Sequence, residues 1–340
     1  MNGELAALIA VVLHGNAWLA NPTSEPPSLE RENSTYRYVQ SLTFVEPKQG
    51  FFRRERRYMG TAEWLAALRS EGVKTLALFN PTQSTGELSA PIATSFANGV
   101  PRGVVTDSRA QTLWSSNWQT DGSDHPDGEI WRVTMTSYGI APVPAMRPRP
   151  PAEAHASLHE SVEAARTFAK ANNLNGWVDW FGKALAVSES SNPEVPYNPD
   201  IVPAGWLSLE QRQLLAFAVQ AWVFGGMGSW NDIWLEDESQ GDRYRAVTEQ
   251  LYESLIAALV AVTNVRYWDS SCVHQRPGYP DSAYLDPGLI DTTTVRRLTR
   301  PGIAGRVQPC LHLPCSRRVS SSPARPPVRR HVRSTTTCRI

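Results

Sequence analysis

Acidic residues stop at Asp291. From Val295 to Ile340 the chain carries 11 Arg and no Lys, Asp or Glu. The 340-residue chain balances 33 basic against 33 acidic groups, so residues 1–294 hold 22 basic groups against all 33 acids, a net charge of −11. A neutral total therefore hides an acidic body and a basic tail. The tail has no aromatic residue after Tyr284 and no helical period among its apolar residues. Such a composition cannot offset its own ordering entropy. Whatever folds must lie before it, and a disordered Arg-rich tail is expected over 295–340.

Three readings of the tail can be set side by side. Arg could bind phosphates with counterion release, but without aromatic residues for stacking, nucleic-acid binding is the lowest-ranked function. Cys310, Cys315, His331 and Cys338 match none of the common zinc spacings. The third reading explains more. The chain uses 29 Arg and only 4 Lys, as a GC-rich coding sequence would. Arg, Pro, Ser, Ala, Thr, Val and scattered Cys and His are what such DNA yields in a wrong frame. A frameshift, or a run past the ancestral end, beginning between about residues 265 and 300 fits this, and translating the other two frames of the gene would decide it.

The body has room for one large domain or two ordinary ones. With 41% hydrophobic residues and 12 Trp, it would bury roughly 70–75% of its unfolded surface. Cys272 is the only body cysteine, so no disulfide framework exists there and a reducing, cytoplasmic compartment is expected. The N-terminal run "ELAALIAVVL" reads as a buried helix rather than a signal segment, because Glu4 stands where a signal wants a base and no basic residue precedes Arg31. No later stretch reads as a membrane span, and the chain is expected to be soluble.

Along the chain, the first helix should stop near "HGNAWLANP", at Gly15, Asn21 and Pro22, with His14 at its end. "STYRYVQSLTFV" reads as a strand. "TAEWLAALRSEG" reads as a helix with Thr61 at its cap and Gly72 as terminator, followed by the strand "VKTLALFN". "RGVVTD", "TLWSSNWQT" and "EIWRVTMTSYG" are further short strands, the last two flanking a long hairpin loop. "APVPAMRPRPPAEA" has five Pro in fourteen residues and marks a linker. Beyond it, stripes at Leu158–Ala169 and Trp177–Leu185, a Ser208/Gln211 capping box and a long stripe from Tyr244 to Val260 read as helices. The predicted class is α+β: a helix and β-sheet part over 1–140, a Pro-rich linker over 141–151, a helical bundle over 152–264, an irregular extension over 265–294, then the tail.

Candidate chemistry is thin. Asp121, Asp124, His125 and Asp127 in "DGSDHPDGE" are the densest polar group, yet Pro126 stands where a calcium loop needs its Gly, and a solvated turn uses these residues anyway. His155 and His159 are one turn apart but lack further ligands. No metal and no cofactor is expected. Arg53, Arg54, Arg56 and Arg57 stand beside Phe51, Phe52 and Tyr58, a set that could hold a phosphate or carboxylate or simply pair with surface acids. "FGGMGSWND" follows a helix rather than preceding one, so its glycines are no phosphate cradle. Ser229 or Asn231 should cap a short helix there, with Trp230 and Trp234 facing the bundle and Asp232 at a rim. Glu236 and Asp237 in "WLEDESQGD" favour the positive end of the next helix or a basic partner. No nucleophile has a recognisable activator.

The leading expectation is a soluble, non-catalytic interaction or accessory protein with a basic protein partner, an immunity-type bacterial inhibitor being one concrete form. The alternative is an enzyme or binder of an anionic ligand that joins Arg53–Arg57 to the Gly225–Asp232 turn. Placement separates them: arginines lining a concave pocket with Trp230 or Asp232 favour the ligand, and arginines lying paired on the surface favour the partner.

Overall fold

The computed structural model describes residues 1–22, 24–48, 54–82, 87–107, 111–120, 128–139 and 149–265. The tail, the 121–127 loop and most of the linker and extension lie outside them. The first helix, α1 (Gly3–Ala20), is capped by Asn2, whose side chain accepts from the Leu5 N–H at 2.9 Å. It is buried on nearly all sides from Glu4 to Leu13, as the all-apolar run requires. It ends at Ala20 with Asn21 as its cap, the stop that Asn21 and Pro22 signal, but it runs straight through His14 and Gly15. The reason is packing. A Cβ on Gly15 would come within 2.6 Å of Leu76 Cδ1 and 3.1 Å of Leu65 Cδ2, so this glycine is a contact point rather than a stop signal. Close burial there offsets the roughly 1 kcal/mol that glycine costs a helix interior.

Next come the short α2 (Leu29–Glu32) and a single 3-10 turn, Ser34–Tyr36, held by the Asn33 side chain. That turn takes the first residues of the expected strand, and β1 spans Val39–Glu46. The chain continues through β2 (Arg56–Met59), α3 (Gly60–Ser70), β3 (Leu76–Phe79), α4 (Ala90–Ala93), β4 (Gly103–Thr106), β5 (Thr112–Thr120) and β6 (Trp131–Gly139). The strands form one six-stranded sheet in the order β2-β1-β6-β5-β4-β3. Only the β1–β6 pairing is parallel. β5 and β6 pair in unbroken antiparallel register from Thr112↔Gly139 to Thr120↔Trp131, as two runs flanking a hairpin loop should. Helices α1 and α3 pack on the sheet, where Phe44 and Trp64 stack at 4.2 Å and Trp114 meets both edge-on.

The second half is helical: α5 (Pro151–Ala171), α6 (Asn175–Ser188), α7 (Leu209–Gln220) and α8 (Glu238–Thr263). Both hydrogen bonds of the Ser208/Gln211 capping box form, at 3.0 and 3.2 Å. A mixed sheet followed by a helical bundle is the α+β class. Leu8, Trp114, Val162, Phe217 and Leu255 belong to one continuous core, so sheet and bundle share an interior.

The bundle meets the sheet at β3, whose outer edge is not left open. Asn16 of α1 accepts from the Leu76 N–H at 2.7 Å and donates to its carbonyl at 2.9 Å. Asn264, at the end of α8, does the same for Leu78, at 2.7 and 3.1 Å. Two side-chain amides thus act as a seventh strand in miniature, satisfying an edge that would otherwise be buried and orphaned. Helices α1 and α8 are both long and apolar enough to cross a membrane by length and composition. For α8 this corrects the expectation that no later stretch qualifies. Both bury most of that surface inside the protein.

Candidate functional site

The arginine cluster lies on β2, at one edge of the sheet. Arg56 pairs with both Glu46 and Glu71 and lies 5.8 Å from the Tyr58 ring, while Arg57 pairs with Glu55 at 2.6 Å. Their side chains are 51% and 64% exposed. Arg54 is exposed as well, and Arg53 lies outside the described residues. The Gly225–Asp232 turn is tied to α4, which packs on α8 beside β3, the strand at the other edge of the sheet. The two halves of the anionic-ligand reading are therefore not brought together.

The turn itself is built for structure. Gly228 takes φ +82°, a conformation open to glycine, and its N–H donates to Asp232 Oδ2 at 2.5 Å. Asp232 closes the turn. Ser229 caps the 3-10 turn Trp230–Asp232 through Asn231 N–H. Trp230 is fully buried, which removes it as a surface contact. Phe181, Trp177 and Tyr244 surround it at 5.2, 5.5 and 5.6 Å between ring centroids, and its indole N–H donates to Thr248 at 2.9 Å.

Trp234 was expected to face the bundle beside Trp230 and does not: it is 87% exposed. The flanking Ile233 and Leu235 pack against the core. In a segment entered through extended backbone at Ile233, alternation turns the residue between them outward. Met227 is fully exposed in the same loop. Helical spacing drew attention to Trp234 but could not reveal this, because the segment is not helical.

Of the acidic residues here, Asp237 caps α8. Hydrogen bonds from the Ser239 hydroxyl and N–H hold its carboxyl below the usual range. Asp242 pairs with Arg245. Glu236 and Glu238 are exposed and make no hydrogen bond or ion pair among the described residues.

Two polar clusters, one buried and one half-buried, escape the sequence pattern. Arg102, at the entrance to β4, is fully buried. It donates through Nε to Asn80 Oδ1 at 2.6 Å, through Nη1 to Glu4 Oε2 at 3.1 Å and through Nη2 to Thr94 Oγ1. Glu4 also accepts from the Ser116 hydroxyl at 2.7 Å. Burial pushes the Glu4 carboxyl above its ordinary range, with Arg102 and Ser116 pulling it back. The Tyr252 hydroxyl faces the same cluster without an aligned hydrogen bond. Closed to water, this ion pair orients α1 against β4, β5 and α4.

The second group holds a serine, a histidine and an aspartate, but not as a catalytic relay. The Ser34 hydroxyl donates directly to the Asp200 carboxylate, and His14 Nε2 meets the Asp200 main-chain carbonyl at 2.9 Å. A relay needs the imidazole between hydroxyl and carboxylate. Here Asp200 instead ties the 189–207 loop to α1 and the Ser34 turn, with Asn33 and Asn198 adding 2.6 and 3.1 Å bonds.

His155 and His159 both lie against Phe217, at 5.6 and 6.4 Å. No group of three His, Cys, Asp or Glu side chains among the described residues could hold a metal, and Asp121, Asp124, His125 and Asp127 lie outside those residues. Comparisons with protein-family models, with curated proteins and with solved structures find no match.

Proposed function

We propose that the chain is a soluble, cytoplasmic, non-catalytic interaction protein whose acidic body binds a basic protein partner, an immunity-type inhibitor being one concrete form. The observation that supports this reading most is the uncommitted negative charge at Glu236 and Glu238 on a body of net −11. The arginines favour it too, since those described in pairs are engaged with surface acids rather than gathered around a ligand.

The test is affinity capture with the full chain and with its Glu236→Lys/Glu238→Lys variant, at about 50 and about 500 mM salt. The expected result is a protein of high isoelectric point, retained by the natural chain at low salt, held less tightly at high salt, and lost from the charge-reversed variant. Partners that are not basic, or that the variant retains equally, would refute the reading.

A further inference from the structure

Ten large apolar side chains stand exposed among the described residues. Five of them, Leu88, Ile92, Phe96, Met227 and Trp234, lie within four residues of a single cross-link. That link is the Asn231 amide, which donates to the Pro91 carbonyl and to Ser95 Oγ, both at 2.9 Å. The other five are scattered over separate elements. Isolated apolar residues on a surface are ordinary, but a gathered patch marks an interaction site.

We propose that this face, formed by α4 and the 226–235 loop, docks an amphipathic basic segment of a partner protein, with Trp234 and Met227 as apolar anchors. The proposal rests on the basic-partner reading above and gives it a site.

Three features specify the occupant. The anchors are preorganised: Trp230 is locked in the core, Asn231 is tied to α4, and Ile233 and Leu235 face inward, so Trp234 projects from a fixed backbone. Rigid aromatic anchors lower the ordering cost of association. The rim is acidic on balance: Asp232, Glu236, Asp237 and Glu238 are exposed, against Arg243 and the Asp242–Arg245 pair, and Glu236 and Glu238 are uncommitted. An apolar centre inside a negative rim complements a segment that places Leu-like residues on one face and Lys or Arg beside them. The same rim repels a second copy of this face and an anionic lipid surface.

The probes are two 18-residue synthetic helices of equal charge, one of Lys and Leu in amphipathic order and one with Ser replacing Leu. Each carries a central photo-crosslinker and is titrated into the full chain by calorimetry. The Lys/Leu helix is expected to bind at least about tenfold tighter than Lys/Ser. Trp234→Ala should weaken it about tenfold or more, as truncation of a central aromatic anchor does. Glu236→Gln/Glu238→Gln should weaken it several-fold at low salt and flatten its salt dependence. Met59→Ala and Tyr197→Ala, which remove exposed apolar residues elsewhere, should change nothing. Cross-links should map to residues 87–96 and 226–242. If the Lys/Leu helix binds but Trp234→Ala binds equally, or cross-links map elsewhere, this site is wrong and the basic-partner reading stands. If neither helix binds, both fall. A concentration-dependent dimer that Trp234→Ala dissolves would make a second copy the occupant and overturn the proposal.

Discussion

Replacing Arg102 by Met removes one charge from a pair that has almost no contact with water. The side chains of Arg102 and Glu4 are 0% and 4% exposed, and three guanidinium bonds, to Asn80, Glu4 and Thr94, vanish together. The loss leaves a buried carboxylate uncompensated, which costs about 3–5 kcal/mol. That is a large part of the ~5–15 kcal/mol that holds a typical domain together. Removing Glu4 as well, in Glu4→Met/Arg102→Met, takes the orphaned charge away, so the double variant should lie well above the sum of the singles in stability. The expected coupling is about 2 kcal/mol or more. The pH dependence has a definite sign. Burial already raises the Glu4 pKa above its ordinary 4.5, so the folded state prefers the protonated form. Stability from that preference is fully present below about 4.5 and is lost as pH rises through the folded pKa. Without Arg102 the folded value moves higher still, so the Arg102→Met deficit should be larger at pH 7.5 than at pH 5. Urea unfolding followed by tryptophan fluorescence at both pH values measures all of this. A single-variant cost below about 1 kcal/mol, additive single costs, or a deficit that grows on acidification would refute the reasoning.

Other sites give narrower expectations. Asn264→Leu orphans the Leu78 N–H and C=O at the buried edge of β3 and should cost about 2 kcal/mol or more, with the Leu78 amide losing protection in hydrogen exchange. Gly15→Ala gains helix propensity but drives a methyl to within 2.6 Å of Leu76, so thermal melting should show a net loss of about 1–3 kcal/mol. Burial lowers the His14 pKa below its ordinary 6.5, which places its stabilising contribution above that value and removes it as pH falls. His14→Gln should therefore flatten the stability change between pH 7 and 5 in chemical denaturation. Arg56→Ala should cost less than about 1 kcal/mol, because both its ion pairs lie in water; a larger loss in urea titration would show that β2 depends on them.

Legibility in this sequence follows the range of the force involved. Elements fixed by their own period or cap could be read directly, as with the Ser208/Gln211 box, the Tyr244–Val260 stripe and the paired runs of β5 and β6. Elements fixed by something distant could not. Gly15 looks like a helix stop until Leu76, far away in sequence, is seen to need its missing Cβ. Ser34–Tyr36 carries strand-forming residues, yet Asn33 and Asp200 fold it into a turn. Trp230 and Trp234 share a helical spacing, but the segment holding them is irregular, and one is buried while the other projects. Glu4 and Arg102 are 98 residues apart, and nothing local to either predicts a pair.

Part of the chain's charge is already engaged by the fold, although exposed acids such as Glu160, Glu210 and Glu249 also make no hydrogen bond or ion pair among the described residues. Glu4 and Arg102 neutralise each other inside, and Asp200 is saturated by Ser34, with His14 and Asn33 on its carbonyl. Arg56 and Arg57 are held by Glu46, Glu71 and Glu55, and Asp232 and Asp237 close a turn and cap a helix. Each of these charges would have to break an existing bond before meeting a partner. Glu236 and Glu238 need break none, and they follow Trp234, whose ring gains most from being covered, by two and four residues. Desolvation and charge pairing therefore favour the same patch. A basic segment without an apolar face would engage only the rim and be released by salt, whereas one carrying an apolar face would hold on after the salt has screened the charges. Retention of the Lys/Leu helix at about 500 mM salt, with loss of the Lys/Ser helix, is the distinguishing result. Equal loss of both would mean that Trp234 contributes nothing and that charge alone draws the partner.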